Sequence, residues 1–157
     1  MKIILLTIIA LSNVLLLPTS SIKAANSSTS IYENVNPKLI YPDNHGKSFI
    51  SEDEFYSTLD KNIYEEYINV AFSMRQKITF KDLPDIEEVF NQKTRNAYKK
   101  MNLQKQTHVD PNRQVYFFAS FHQNETEEFH KFVVIDAETE VELMGGNSYH
   151  KYFNPYK

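Results

Sequence analysis

The sequence predicts a single α+β domain in which two helices pack on a curved antiparallel β-meander of three to four strands. Apolar residues recur at spacings of three and four between positions 52 and 101, which is typical of amphipathic helices. Between positions 113 and 144 the apolar period changes to two, which is typical of strands. The connections between these strands are too short for parallel crossovers, so we expect the strands to pair antiparallel.

The first helix is predicted to run from Glu52 to about residue 75. Ser51 is the expected N-cap, because its side chain can accept the N–H of Glu54 while the Glu54 carboxylate reaches back to the N–H of Ser51. Glu52 and Asp53 then lie in the first turn, where the helix dipole favours negative charge. The stripe expected to face the core contains Phe55, Leu59, Ile63, Tyr67, Val70 and Met74.

A second helix is predicted from about Leu83 to Met101. Asp82 is the candidate N-cap, and Pro84 is tolerated in the first turn because its missing N–H would have no partner there. The preceding segment, residues 77–80, is expected to be a short strand or a turn. This helix and the first one supply the helical layer of the predicted domain.

Three strands are predicted after the helices, at residues 113–122, 129–135 and 141–144. The first carries aromatic residues on both sides, so we expect both faces of the sheet to be covered. Residues 123–128 form the polar loop between the first two strands. Gly145-Gly146 is expected to end the third strand.

The register of that hairpin decides where two histidines lie. A loop of residues 123–128 places His122 opposite Phe129 and His130 opposite Phe121. Neighbouring residues of a strand point to opposite faces, so the two imidazoles are expected on opposite faces of the sheet. We therefore do not expect these histidines to share a metal ion.

The segment Phe132-Val133-Val134-Ile135-Asp136-Ala137-Glu138-Thr139-Glu140-Val141-Glu142-Leu143 resembles the end of a PepSY-type domain, a small exported bacterial module. Residues 84–144 follow the order of that family, with Glu140 standing where the family usually has Gly. The additional helix at 52–75 also gives a resemblance to cystatin-like and NTF2-like folds. These resemblances imply a curved sheet wrapped around a helix, and they imply no single function.

Residues 1–24 are predicted to be a secretory signal peptide cleaved near Ala24-Ala25. Lys2 precedes a mainly apolar stretch, Ile3 to Leu17, which is shorter than the roughly 20 residues of a spanning helix. The alternative for this segment is an uncleaved membrane anchor. The chain has no cysteine for lipid attachment, so we expect a freely secreted protein without stable membrane insertion.

The rest of the chain divides into an arm and a domain. Residues 25–48 are rich in Ser, Asn and Pro and are predicted to be a flexible or irregular N-terminal arm. Residues 49–157 are predicted to form the single α+β domain. An exported chain of this size without cysteine depends on packing for stability, which together with its many Asn, Lys and Ile residues indicates a bacterial, Gram-positive source.

Charge and motifs exclude several classes of function. Without Lys2 and Lys23 the chain has 15 basic and 20 acidic residues, so nucleic acid is not an expected partner. Three glycines provide no phosphate-binding loop, and no glycine-flanked serine nucleophile is present. We therefore predict no catalytic residue, metal or cofactor, and a protein that is not an enzyme. No pair of histidines has helical ligand spacing among His45, His108, His122, His130 and His150.

The C-terminal segment, residues 149–157, is the candidate binding site because four of its nine residues are aromatic. The alternative is that Tyr149 and Phe153 complete the core as a last strand. We predict a secreted protein-binding module, in the form of an inhibitor or host-directed factor. The second possibility is a binder of a small apolar ligand between sheet and helix, and the third is an enzyme of unknown type. The predicted partner-binding residues are Tyr149, His150, Tyr152, Phe153 and Tyr156.

Overall fold

The computed structural model describes residues 39–95 and 100–152. This part of the chain forms one four-stranded antiparallel sheet with two α-helices, which confirms the α+β class and the meander. The strands lie in chain order, so β1 and β4 form the two edges. The elements are α1 (Glu52–Thr58), β1 (Phe72–Thr79), α2 (Leu83–Lys93), β2 (Gln114–Gln123), β3 (Glu127–Asp136) and β4 (Glu142–Lys151).

Helix α1 begins as predicted, with the Ser51 hydroxyl accepting the N–H of Glu54 at 3.3 Å. The prediction that it continues to about residue 75 was wrong, because α1 ends at Thr58. Asp60 accepts the N–H of Asn62 at 2.8 Å, a local turn that competes with helix. Residues 72–79 instead form β1 and pair along β2, so tertiary pairing overrides the helical spacing of the apolar residues.

Helix α2 is also shorter than predicted. It ends at Lys93, and the Thr94 hydroxyl donates to the Phe90 carbonyl before Arg95 turns to a φ of 54°. Residues 96–99, which the predicted helix included, lie outside the described residues. Pro84 lies in the first turn as predicted, whereas the Asp82 side chain bonds to the Thr79 hydroxyl and does not cap the helix.

Strand β4 runs to Lys151, so the prediction that Gly145-Gly146 ends it was wrong. Neither glycine has a positive φ, which means that the strand backbone does not require them. A Cβ on Gly146 would lie 2.8 Å from the ring of Phe132, the residue opposite it on β3. Gly146 is therefore there for space, and a glycine in a strand often marks such a close approach.

The hairpin joining β2 and β3 has the predicted register, with His122 opposite Phe129 and His130 opposite Phe121. Each strand is extended into the predicted loop, which leaves the register unchanged. The two histidines lie on opposite faces as expected: the His122 ring is 6.1 Å from that of Tyr67, and the His130 ring is 6.3 Å from that of Phe90.

Both faces of the sheet are covered, as the aromatic strand β2 indicated. We call them the α1 face and the α2 face after the helix that packs on each. On the α1 face, the Phe55 ring stacks on that of Tyr116 at 4.1 Å. On the α2 face, Leu83 and Phe117 are completely buried. Full burial of one such side chain contributes about 1.5–3 kcal/mol, so the two cores stabilise the sheet together.

A buried ion pair ties the start of β2 to the end of β3. The Arg113 guanidinium donates to both oxygens of Asp136, at 2.6 and 2.8 Å, and to the Pro42 carbonyl at 2.7 Å. Burial raises the pKa of Asp136, but Arg113 and the hydrogen bonds from Thr139 outweigh it and hold that pKa below its usual value. Through Pro42, the same cluster attaches the described, irregular part of the N-terminal arm.

Candidate binding surface

Strand β4 presents an open backbone edge. The Tyr152 amide donates to the Thr126 carbonyl of the neighbouring strand at 2.8 Å. Bonded and non-bonded residue pairs alternate along an antiparallel ladder, so Gly145, Asn147 and Tyr149 direct their N–H and C=O groups away from β3. Within residues 39–95 and 100–152 no further strand pairs with these groups. The outer edge of β4 is therefore able to accept another strand.

The α1 face has an open groove beside β4. It has a volume of about 610 Å³ and lies between the segment 61–67 and strands β3 and β4. Lys131 contributes its side chain to this groove, which we call the Lys131 groove. Its aromatic lining residues are Tyr64, Tyr67, Phe129, Phe132 and Tyr149.

The ammonium of Lys131 lies against aromatic rings in this groove. Its Nζ is 4.2 Å from the ring centre of Tyr67 and 5.5 Å from that of Tyr64. Both distances suit cation–π contacts. Burial lowers the pKa of Lys131, with Glu65 and Glu66 acting in the opposite direction. The groove thus combines apolar walls with a partly dehydrated cation.

A smaller cavity of about 260 Å³ adjoins β4 on the α2 face. It lies between α2 and strands β3 and β4, with Phe90, Phe117 and Phe132 among its lining residues. His130 also lines it, and burial lowers the pKa of its imidazole. Strand β4 is consequently flanked by an open recess on each face of the sheet.

The structure separates the predicted binding residues. Tyr149 belongs to β4 and is 54% exposed, so it does not complete the core. Its ring lies 4.9 Å from that of Phe129 on the α1 face. His150, the next residue, therefore points to the α2 face. Tyr152 donates to Glu128 at 2.7 Å. Phe153 and Tyr156 lie outside the described residues.

The described part of the chain shows neither a metal site nor a buried acid–base pair that is free to react. No group of three or more His, Cys, Asp or Glu side chains there is arranged to hold a metal ion. The buried Arg113–Asp136 pair is fully engaged in hydrogen bonds, which is the arrangement of a structural ion pair. Among the described helices, none has the length and apolar character needed to span a membrane.

Comparisons with known proteins do not assign a family. No family model matches the chain, and no solved structure matches it. A stretch of 72 residues is 35% identical to a CTP synthase of Christiangramia forsetii. That stretch is 46% of this chain and 13% of the enzyme, so the chain spans only a small part of the relative it matches.

Sequence reasoning missed the open edge and the Lys131 groove. The signals were present: Gly145-Gly146-Asn147-Ser148 is a run of small uncharged residues, and Lys131 interrupts a strand whose neighbours are aromatic or apolar. Gly145-Gly146, however, also suits the end of a strand, and the pattern of β3 alone does not show what surrounds Lys131. A lysine on a strand with both faces covered is itself a sign of a special environment, because lysine is rarely buried.

Proposed function

We propose that this protein is a secreted protein-binding module that takes an extended segment of its partner as a fifth strand on β4. The observation that carries the proposal is the open edge at Gly145, Asn147 and Tyr149, whose backbone groups point away from β3. Addition of a strand to a sheet edge is a common mode of peptide recognition, in which main-chain hydrogen bonds supply affinity.

The recesses beside β4 support this mode of binding. Alternate side chains of an added strand point to opposite faces of the sheet. The Lys131 groove lies on the α1 face and the smaller cavity on the α2 face, so both sets of side chains find a recess nearby. Of the predicted binding residues, Tyr149 then contacts the partner on the α1 face and His150 contacts it on the α2 face.

The proposed location and biological role rest on the sequence. The signal peptide predicted at residues 1–24 supports a partner outside the cytoplasm. An inhibitor or a host-directed factor remains the predicted form of activity, because binding along an edge requires no catalytic group. The cystatin-like, NTF2-like and PepSY-like resemblances also stay predictions.

The test uses a proline that removes one outward donor. Asn147→Pro deletes the N–H of an edge residue without removing a hydrogen bond to β3, and proline is tolerated on edge strands in this position. Linear peptides selected from a random library on residues 25–157 should bind the Asn147→Pro variant about tenfold more weakly, since one hydrogen bond contributes about 0.5–1.5 kcal/mol and the ring also obstructs pairing. Affinities are measured by calorimetry.

The matched control is Ser73→Pro, which removes an outward N–H from the other edge, on β1. Peptide affinity for this variant should stay within about twofold of the wild type. In hydrogen exchange, bound peptide should protect the amides of Asn147 and Tyr149. Equal affinity for the wild type and Asn147→Pro would contradict strand addition on β4.

A second candidate function is binding of a small apolar ligand. The cavity between α2 and the sheet favours it, because the rings of Phe90, Phe117 and Phe132 line this space. Phe90→Ala would enlarge the cavity, whereas Gly146→Ala would crowd the Phe132 ring that lines it. Native mass spectrometry of the purified protein detects a retained molecule, and its absence from every preparation would remove this candidate.

A further inference from the structure

We infer that the Lys131 groove binds a carboxylate carried by a side chain of the added partner strand, with the carboxylate against the Lys131 ammonium. This inference rests on the proposed function, since the partner strand on β4 is the source of the carboxylate. It adds a chemical requirement to that function: the partner segment must contain Glu or Asp at the position facing Lys131.

In the described part of the chain, no acidic group pairs with Lys131. The acidic residues that act on its charge, Glu65 and Glu66, are each held by another cation. Lys61 lies 3.0 Å from Glu65, and Arg75 lies 2.8 Å from Glu66. Within the described part of the chain, Lys131 itself forms no ion pair within 4 Å and no hydrogen bond.

The surroundings of Lys131 make that charge costly. Tyr64 and Tyr67 exclude water from one side of the ammonium, and the ring faces replace only part of its hydration. Burial accordingly lowers the pKa of Lys131. A carboxylate in the groove supplies the missing acceptor, and hydrogen bonds between charged groups are among the strongest in proteins.

The route from β4 to Lys131 is open. On the α1 face Asn147 lies opposite Lys131, and Gly145 follows at the next position on that face. An added strand lies about 10 Å from β3, a gap that a Lys side chain and a Glu side chain span together. Gly145 has no positive φ, so its backbone conformation does not require glycine. A Cβ at this position would lie 2.7 Å from the flexible carboxylate of Glu142.

The groove has one further acidic residue, Glu142, on β4. Its backbone lies opposite Ile135, but its carboxylate reaches over Gly145, one position along the α1 face from Asn147. Within the described residues it forms no ion pair with Lys131 within 4 Å, and it disfavours a second carboxylate at that end. The groove consequently orients an acidic segment with its negative charge near Tyr149.

The first part of the test uses a small probe that needs no partner strand. Binding of 3-phenylpropionate and of its neutral amide is followed by NMR of the wild type, Lys131→Met and Lys105→Met. We expect the carboxylate to bind at the groove. Its affinity should fall about tenfold or more in Lys131→Met, and the neutral amide should bind the wild type more weakly by a similar factor. Lys105→Met, at an exposed lysine outside the groove, should change the affinity less than about twofold.

The second part uses the peptides selected on the wild-type protein. They should share one acidic position, and its Glu→Gln change should weaken binding to the wild type about tenfold but leave binding to Lys131→Met unchanged. Equal binding of the probe to Lys131→Met and wild type overturns the inference. So do peptides that require the β4 edge and are indifferent to Lys131→Met, although strand addition then stands.

The Asn147→Pro variant tests strand addition through the peptides only, because Asn147 lies opposite Lys131 and lines the same groove as the probe. It should bind the selected peptides weakly. If Asn147→Pro leaves peptide binding unchanged, strand addition fails. The carboxylate then does not come from a strand on β4, and the inference fails with it, whatever the probe shows.

Discussion

The two edge strands of this sheet differ in how their outer sides are protected. On β1 the Phe80 amide donates to the Arg113 carbonyl at 2.8 Å, and alternation along the ladder turns Ser73, Arg75 and Lys77 outward. The outward positions of β1 therefore include two long cationic side chains. Those of β4 at the centre of the strand are Gly145, Asn147 and Tyr149, none of which is charged.

The cations of β1 are bound to the segment that covers their face. Arg75 pairs with Asp53 at 2.9 Å and with Glu66 at 2.8 Å, and its guanidinium lies 3.8 Å from the ring centre of Tyr56. Lys77 donates to the carbonyls of Phe49 and Ile50. These contacts hold α1 and the residues just before it against the α1 face of β1.

Strand β4 has charged residues only towards its ends, at Glu142 and Lys151. Natural sheets protect their edges with charges, bulges or covering segments, because an unprotected edge pairs with other chains. The register shift opposite Val134 and Ile135 is one such device, but it lies near the start of β4 and leaves the centre open. Within one sheet, the contrast supports β4, rather than β1, as the edge for the proposed strand addition.

The largest expected effect comes from breaking the ion pair that holds the turn leading into β4. Asp136→Asn removes the buried carboxylate from Arg113 and leaves only the partly exposed Glu138, 2.8 Å away, as its charged partner, so the free energy of unfolding should fall by about 3 kcal/mol. Chemical denaturation measures this loss. The middle of β1 is distant from this ion pair, so hydrogen exchange should show a greater loss of protection at the start of β4 than at the amide of Gln76, which faces β2.

The pH dependence provides the control for that variant. The pKa of Asp136 is lower in the folded protein than its usual value, so its contribution to stability is complete above the unfolded value of about 4. It is lost as the pH falls from there through the folded pKa. Asp136→Asn should remove this part of the acid-induced loss, and an unchanged acid profile would argue against it.

The next effect distinguishes the adjacent glycines of β4. Gly146→Ala should lower stability by about 1–3 kcal/mol, because the new Cβ overlaps the Phe132 ring on the α2 face. Gly145→Ala is the matched control on the α1 face, where only the flexible Glu142 carboxylate must move. Thermal unfolding measures both variants. Equal destabilisation by the two substitutions would show that both glycines serve the backbone.

The smallest expected effect concerns the protection of β1. Arg75→Thr removes two partly exposed ion pairs, so stability should fall by no more than about 1 kcal/mol. The same change removes a charge from the edge, and sedimentation at high protein concentration should detect increased self-association. Asn147→Lys, which adds a charge to β4, should reduce self-association through β4. A variant Arg75→Thr that stays monomeric at all concentrations would weaken the proposed role of Arg75.

Local features were predicted well where neighbouring residues decide them. The cap formed by Ser51 and Glu54 was found because its partners lie three residues apart, and the positions of His122 and His130 followed from the hairpin register. The extent of α1 was not found. Apolar spacing between 59 and 75 suits a helix as well as a loop followed by a strand, and only pairing with β2 favours the second arrangement.

The α+β class, the antiparallel meander and the double coverage of the sheet follow from the amino-acid pattern, because periodicity and short connections act over a few residues. The exposed edge of β4 and the unbalanced charge of Lys131 arise from folding. A strand becomes an edge when no further strand pairs with its outer side. Among the described residues, Lys131 lacks a counter-ion because Lys61 and Arg75 hold the nearby carboxylates. These are outcomes of competition among groups distant in sequence, which no local pattern records.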